Sequence, residues 1–188
     1  MEHIYNQEQF GENWFTYPNL YKGFVEKLTD GSKIVEVGSW KGKSAAFLAV
    51  EVINSGKNIS IDCVDIWEEN ATEGDDQNDL HVKTDTLYEL FFSNISPLSH
   101  IIKPIRMKST DASTLYSDGS LDVVFIDADH AYEAVKADIH AWMPKVKSGG
   151  ILAGHDYPWS HNHDVKRAVD ELVKPITQSE GCWIYKKP

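Results

Sequence analysis

Lys33-Ile34-Val35-Glu36-Val37-Gly38-Ser39-Trp40-Lys41-Gly42-Lys43-Ser44 is the stretch on which the fold turns. The β-branched run over 33–38 predicts a short strand, the glycines a tight turn, and residues 44–55, with Phe47, Leu48 and Val52 among the apolar positions of one face, a helix. The alternation extends outward from there. Upstream, Leu20, Phe24, Val25 and Leu28 recur at helical spacing between Pro18 and Gly31, which predicts a helix of about three turns. Downstream, strands are expected over 59–65, 100–105, 121–127 and 150–154, and helices over 85–95, 111–116, 131–143 and 164–173. The tail over 173–185 holds two short β-like runs around Ser179-Glu180-Gly181, the pattern of a hairpin on a sheet edge. Strands that alternate with helices imply an α/β fold, a doubly wound and mostly parallel sheet covered on both faces, here with a C-terminal antiparallel hairpin.

The 188 residues suit a single domain over 1–188. An arm and first helix would occupy 1–32, the turn-bearing strands and helices 33–156, and the last helix and hairpin 157–188. The start lacks a basic region followed by an apolar one, and no run nears the ~18 apolar residues of a membrane span, so a cytoplasmic chain with no membrane partner is expected. Cys63 and Cys182 lie in apolar, strand-like surroundings and read as reduced core residues. Eighteen basic residues against 29 acidic ones leave a net charge of −11, which repels phosphate backbones and argues against a nucleic-acid partner. Glu68, Glu69, Glu73, Asp75, Asp76 and Asp79 share one stretch without a Lys or Arg, which reads as a solvated loop or, more sharply, a lid for cationic or neutral substrates. Residues 1–17 carry Phe10, Trp14, Phe15 and Tyr17 without periodicity and read first as a packing arm, with a pocket cap or a homo-oligomer contact as alternatives.

Ligands of a doubly wound sheet sit beyond the carboxyl ends of its strands, so the turn after the first strand is the place to look. A Walker loop needs four residues between its first glycine and Gly-Lys-Ser, yet only three separate Gly38 from Gly42-Lys43-Ser44. A dinucleotide loop needs a glycine where Trp40 stands. What remains is an acid, Glu36, two residues before the turn, and a second acid, Asp65, ending the second strand, where a carboxylate can accept hydrogen bonds from ribose hydroxyls. This pattern resembles the first two motifs of the class I, Rossmann-like methyltransferases that use S-adenosylmethionine. The resemblance implies that Glu36, Gly38, Ser39 and Gly42 lie near the methionine part of that cofactor. It implies further that Asp65 holds the ribose and that Ile66 or Trp67 packs on the adenine, with Ser109 of Lys108-Ser109-Thr110-Asp111 a further adenine contact. The plainer alternatives are that Glu36 caps the turn and that Trp40 and Trp67 are packing residues.

A second constellation, Asp127-Ala128-Asp129-His130, leaves the fourth strand, and Gly154-His155-Asp156 leaves the fifth. Adjacent strand ends bring Asp127, His155 and Asp156 together, and clustered carboxylates call for a compensating cation. Two oxygen donors and an imidazole suit Mg²⁺ or another divalent metal, which could bind a substrate hydroxyl and lower its pKa. The same segments resemble metal-dependent O-methyltransferases, and the match makes Asp127, His155 and Asp156 the metal ligands. His155 departs from that pattern, since many relatives have a carboxylate there. The Asp-x-x-His spacing resembles the branch of macrocin-type sugar O-methyltransferases and cephalosporin-hydroxylase-like proteins. That resemblance implies His130 as general base beside catalytic Asp127, with Asp129 orienting the imidazole or touching the cofactor; the plain alternative for Asp129 is a helix cap. His161 and His163 lie just beyond and read as solvated.

The leading expectation is a metal-assisted methyl transfer to a hydroxyl of a small molecule, such as a sugar or polyol. A non-haem iron hydroxylase using His130, His155 and one acid is a second reading. A domain that binds S-adenosylmethionine or a partner without chemistry is a third.

Overall fold

A computed structural model describes residues 1–11, 14–68, 80–158 and 163–188. The strands are β1 (Lys33–Val37), β2 (Ser60–Asp65), β3 (Ile102–Arg106), β4 (Leu121–Ile126), β5 (Val146–Gly154), β6 (Thr177–Ser179) and β7 (Cys182–Lys186). The helices are α1 (Pro18–Lys27), α2 (Lys43–Ser55), α3 (Leu80–Lys83), α4 (Leu87–Ile95), α5 (Ser109–Ser113), α6 (Tyr132–Trp142) and α7 (Asp164–Leu172). One sheet takes all seven strands in the order β3-β2-β1-β4-β5-β7-β6. Strands β1 to β5 pair in parallel, and β7 runs antiparallel to both β5 and β6. This is the doubly wound sheet with a terminal antiparallel hairpin that the sequence predicts. The order reverses between β1 and β4, so the binding crevice falls at the ends of those two strands.

Side chains alternate across the sheet with the period of two that a strand imposes. Ile34, Val123 and Phe125 face one core with Tyr21, Phe24, Leu48, Trp67 and Phe91, whereas Val35, Val37, Val124 and Ile126 face the other with Val135, Trp142 and Val169. Glu36 lies on the first side at 0% exposure, a carboxylate at a position where the alternation calls for an apolar residue. The hairpin turns through Glu180 and Gly181, both with positive φ (51° and 79°), as a two-residue hairpin loop matched to strand twist requires.

Several boundaries move. Strand β5 begins at Val146 because β4 and β5 pair from Leu121–Val146 across a register shift, which a reading from Gly150 onward misses. Helix α5 spans Ser109–Ser113, two residues upstream of its expected start, and α3 was not anticipated. The arm packs as expected, with Phe10, Phe15 and Tyr17 buried, while Trp14 stays 49% exposed. Both cysteines are free and buried. Among the described residues, no helix is long and apolar enough to cross a membrane. Of the acidic stretch only Glu68, which is exposed, is described; Glu69, Glu73, Asp75, Asp76 and Asp79 lie outside the described residues, as does His161.

Asp138 sits buried on the inner face of α6, where burial raises its carboxyl to about 6 from an ordinary value near 3.8, against the pull of its hydrogen bond with the Ser109 hydroxyl. The folded protein therefore binds more protons than the unfolded chain between those values. Stability from this group is full below pH ~4 and is lost as pH rises through ~6, on the order of 2–3 kcal/mol at most. Asp138→Asn should flatten that decline, so that the variant outlasts the wild type in urea melts at pH 8 but not at pH 4.

Candidate active site

The site is built by extending the parallel ladder one residue past each strand end. The Gly38 amide donates to the Val64 carbonyl (2.8 Å), the Asp127 amide to Val37 (2.8 Å) and the His155 amide to Ile126 (3.1 Å). Gly38, Asp127 and His155 thus stand side by side across β1, β4 and β5, one strand spacing apart. Gly38 has φ +86°, and a Cβ there would lie 1.9 Å from the Asp127 carbonyl oxygen. Only glycine fits. Gly42, at φ +85° before α2, would place a Cβ 2.9 Å from Ile95 and 3.0 Å from Phe91, so it lets the turn settle onto α4.

The turn is held by Asp65. Its Oδ2 accepts from the amides of Ser39 and Trp40 and its Oδ1 from Trp67, each at 2.9 Å. Burial raises its pKa, against the opposing pull of these amides. Trp40 and Trp67 both have positive φ (48° and 46°), an outlier conformation for bulky residues that the shared carboxylate over-determines. Trp67 is fully buried, its ring tilted against that of Phe91 at 4.5 Å, with its Nε1 donating to the Trp40 carbonyl (2.8 Å). That is the packing alternative, and it leaves the half-buried Ile66 as the outward-facing residue of the pair.

Glu36 lies beneath the turn. Tyr21 donates to its Oε1 (2.8 Å) and the Ser39 hydroxyl to its Oε2 (2.8 Å), and Ser44 bonds the same carboxylate. Burial raises its pKa while these donors oppose the rise. In this arrangement Glu36 braces the turn from inside. Ser109 is also engaged, since its Oγ accepts from Trp142 Nε1 (2.8 Å).

At the ends of β4 and β5, one donor atom from each of Asp127, His130 and Asp156 lies within 4.8 Å of the others. His130 Nε2 is 3.1 Å from Asp156 Oδ2 and 3.8 Å from Asp127 Oδ1. His155 Nδ1 stands at the same two distances from the same two oxygens. Asp156 reaches this point through a left-handed backbone (φ 57°), a conformation aspartate tolerates better than most residues. Hydrogen bonding to Asp127, and then to Asp156, raises the His130 imidazole to about 10. Burial alone would raise Asp156, but its bonds to His130 and His155 hold it well below the usual range. The His130 side chain is 55% exposed, so solvent screens its pairing. An imidazolium between two carboxylates cannot accept a proton; it becomes a base once another cation compensates them.

Asp127 and Asp156 meet both imidazoles, and among the described residues the trio whose donor atoms all lie within 4.8 Å of one another is Asp127, His130 and Asp156, with His130 where the sequence expectation put His155. Asp129 is exposed, and its Oδ1 accepts from the amide of Ala131 (2.8 Å), the N-cap residue of α6, which closes a side-chain turn ahead of the helix. His163 is exposed at the start of α7. Three neighbours were not singled out. Tyr17 donates to Asp127 Oδ2 (2.8 Å), Thr16 Oγ1 is 3.0 Å from His155 Nε2, and Tyr21 reaches Glu36 from α1. Tyr17 stood in the sequence only as one of the arm's aromatic residues.

The sequence pattern of a methyltransferase domain family matches residues 35–157. The chain belongs to that family, and its architecture is the class I fold of S-adenosylmethionine-dependent methyltransferases. An uncharacterized protein, y4gI, of Sinorhizobium fredii (strain NBRC 101917 / NGR234) is 26% identical over 126 residues, 66% of this chain but only 13% of that protein's length. The O-methyltransferase NovP superposes with a TM-score of 0.66 at 16% identity, over 90% of this chain and 78% of its own. A candidate O-methyltransferase from Klebsiella pneumoniae superposes with a TM-score of 0.67 at 14% identity, over 99% and 88%. At these identities the superpositions establish the fold.

Gly38→Ala meets the Asp127 carbonyl and should destabilise the protein by at least ~2 kcal/mol. Gly23→Ala in α1, with nothing within 4 Å of its new Cβ, should instead stabilise by about 0.5–1 kcal/mol. Denaturant midpoints of the two variants against wild type measure both.

Proposed function

We propose that this chain is an S-adenosylmethionine-dependent O-methyltransferase that acts on a hydroxyl of a small molecule, assisted by Mg²⁺ or another divalent metal. The observation that carries the reading is the meeting of two carboxylates and two imidazoles one strand away from a turn bounded by Gly38 and Gly42. The glycines set the turn's shape, since a Cβ at Gly38 would meet the Asp127 carbonyl and one at Gly42 the side chains of Ile95 and Phe91. The donor set of carboxylate oxygens and imidazole nitrogens fits a first-row divalent ion.

In this reading Gly38, Ser39 and Gly42 border the methionine part of the cofactor, and Glu36 keeps the turn in shape for it. Asp65, partly exposed, and Ile66 border the ribose and adenine, with Ser109 and Asp129 at the rim. Asp127, Asp156 and His155 would hold the metal, which supplies charge compensation and lowers the pKa of the bound hydroxyl. His130 takes the hydroxyl proton as the methyl passes from sulfur to oxygen and the sulfur keeps the bonding electron pair. The chain works as one unit, with His3 and Tyr5 of the arm packed on Phe47 of α2 and Tyr17 on Phe125 of β4. Iron-dependent hydroxylation is set aside, because the family match spans these same residues.

Calorimetric titration with S-adenosylmethionine tests the reading first; absence of binding with and without Mg²⁺ would sink it. Asp156→Asn and chelator treatment should each cut turnover at least tenfold with cofactor affinity retained. His130→Ala should lower kcat by ~10²-fold or more. Full activity after chelation would exclude metal assistance.

A further inference from the structure

The two groups expected to hold the metal from strands β4 and β5 each have an outer atom and an inner atom. The inner atoms are Asp127 Oδ1 and His155 Nδ1, 3.8 Å apart, with Asp156 Oδ2 3.1 Å from Nδ1. The outer atoms are Asp127 Oδ2 and His155 Nε2, and consecutive residues of the N-terminal arm bind them. The Tyr17 hydroxyl donates to Oδ2 at 2.8 Å, and Thr16 Oγ1 lies 3.0 Å from Nε2. The Tyr17 ring is 2% exposed and packs 4.8 Å from both the Phe125 and the His155 rings. Pro18 follows at the first position of α1, so the backbone that presents both groups is braced.

We infer that Thr16 and Tyr17 are positioning residues of the active centre: they occupy the outer atoms of His155 and Asp127 and thereby turn Nδ1 and Oδ1 towards a common point. The inference rests on the metal-assisted reading above for its purpose, but the orientation is a property of the arm itself. A carboxylate has two equivalent oxygens and an imidazole two possible proton sites, so without an outer partner either could present the wrong atom. Partners of this kind fix ring orientation, with the threonine hydroxyl acting as either donor or acceptor, and their loss weakens metal binding by about 10–100-fold in metal centres generally. No residue of β4 or β5 meets either outer atom in the hydrogen bonds of the described residues. The arm is therefore needed to complete a centre whose candidate ligands all lie elsewhere in the chain.

The test uses the full chain with Thr16→Val, Thr16→Ser and Tyr17→Phe, each close in size to the residue it replaces. Imidazole ¹⁵N shifts of His155 report its tautomer without any metal, and Mn²⁺ titration followed by electron paramagnetic resonance reports the centre. Thr16→Val should move the His155 shifts and weaken Mn²⁺ about tenfold, Thr16→Ser should restore both, and Tyr17→Phe should weaken Mn²⁺ about tenfold, all with S-adenosylmethionine affinity unchanged. Unmoved His155 shifts in Thr16→Val, or Mn²⁺ affinities equal to wild type in both Thr16→Val and Tyr17→Phe, would overturn the inference. A wild-type chain that binds no Mn²⁺ would instead remove the metal from the proposed function, and the His155 shifts alone would then decide whether Thr16 orients the ring.

Discussion

Everything at the site follows from the contact between Gly38 and the Asp127 carbonyl. Two parallel strands, β1 and β4, keep their ladder for one residue beyond their ends, and this is allowed only because position 38 has no Cβ. The extension lowers the turn onto the sheet and fixes Asp127 beside it. The next ladder step places His155 beside Asp127 in turn. A backbone constraint thus decides where titratable side chains stand before any of their own interactions act.

Charge decides how they stand. Asp127 and Asp156 would repel one another at this separation, and His130 and His155 meet both. The raised His130 and depressed Asp156 are two sides of this pairing. The same demand for compensation is met differently around Asp65, where neutral backbone amides suffice because a single carboxylate is involved. Glu36 is a third case, held by the hydroxyls of Tyr21, Ser39 and Ser44 inside a core that would otherwise exclude it.

The candidate site was legible where it depended on strand ends. Gly38, Asp65, Asp127, His155 and Asp156 could be placed because a parallel sheet aligns the exits of its strands, and strand periodicity is strong in β1 and β4. Trp67 and Ser109 show the limit. Whether a residue at a strand exit faces a ligand or a helix depends on local dihedral angles, and Trp67 turns into the core through a left-handed backbone held by Asp65. Ser109 starts a helix two residues earlier than its pattern suggested, and its hydroxyl accepts from Trp142 across the fold.

The amino-acid sequence by itself determined the order of strands and helices, the doubly wound sheet with its terminal hairpin and the glycine-bounded turn after β1, because period-two and period-3.6 patterns and glycine sterics are local. It also determined that acids and histidines would collect at two neighbouring strand ends. Only the tertiary structure decided that His130 reaches Asp156 as well as Asp127, that Glu36 and Asp65 hold the turn, and that Thr16 and Tyr17 reach Asp127 and His155 across more than a hundred residues. Those contacts join segments with no common periodicity, so they exist only once the arm, the sheet and the loops have packed into one arrangement.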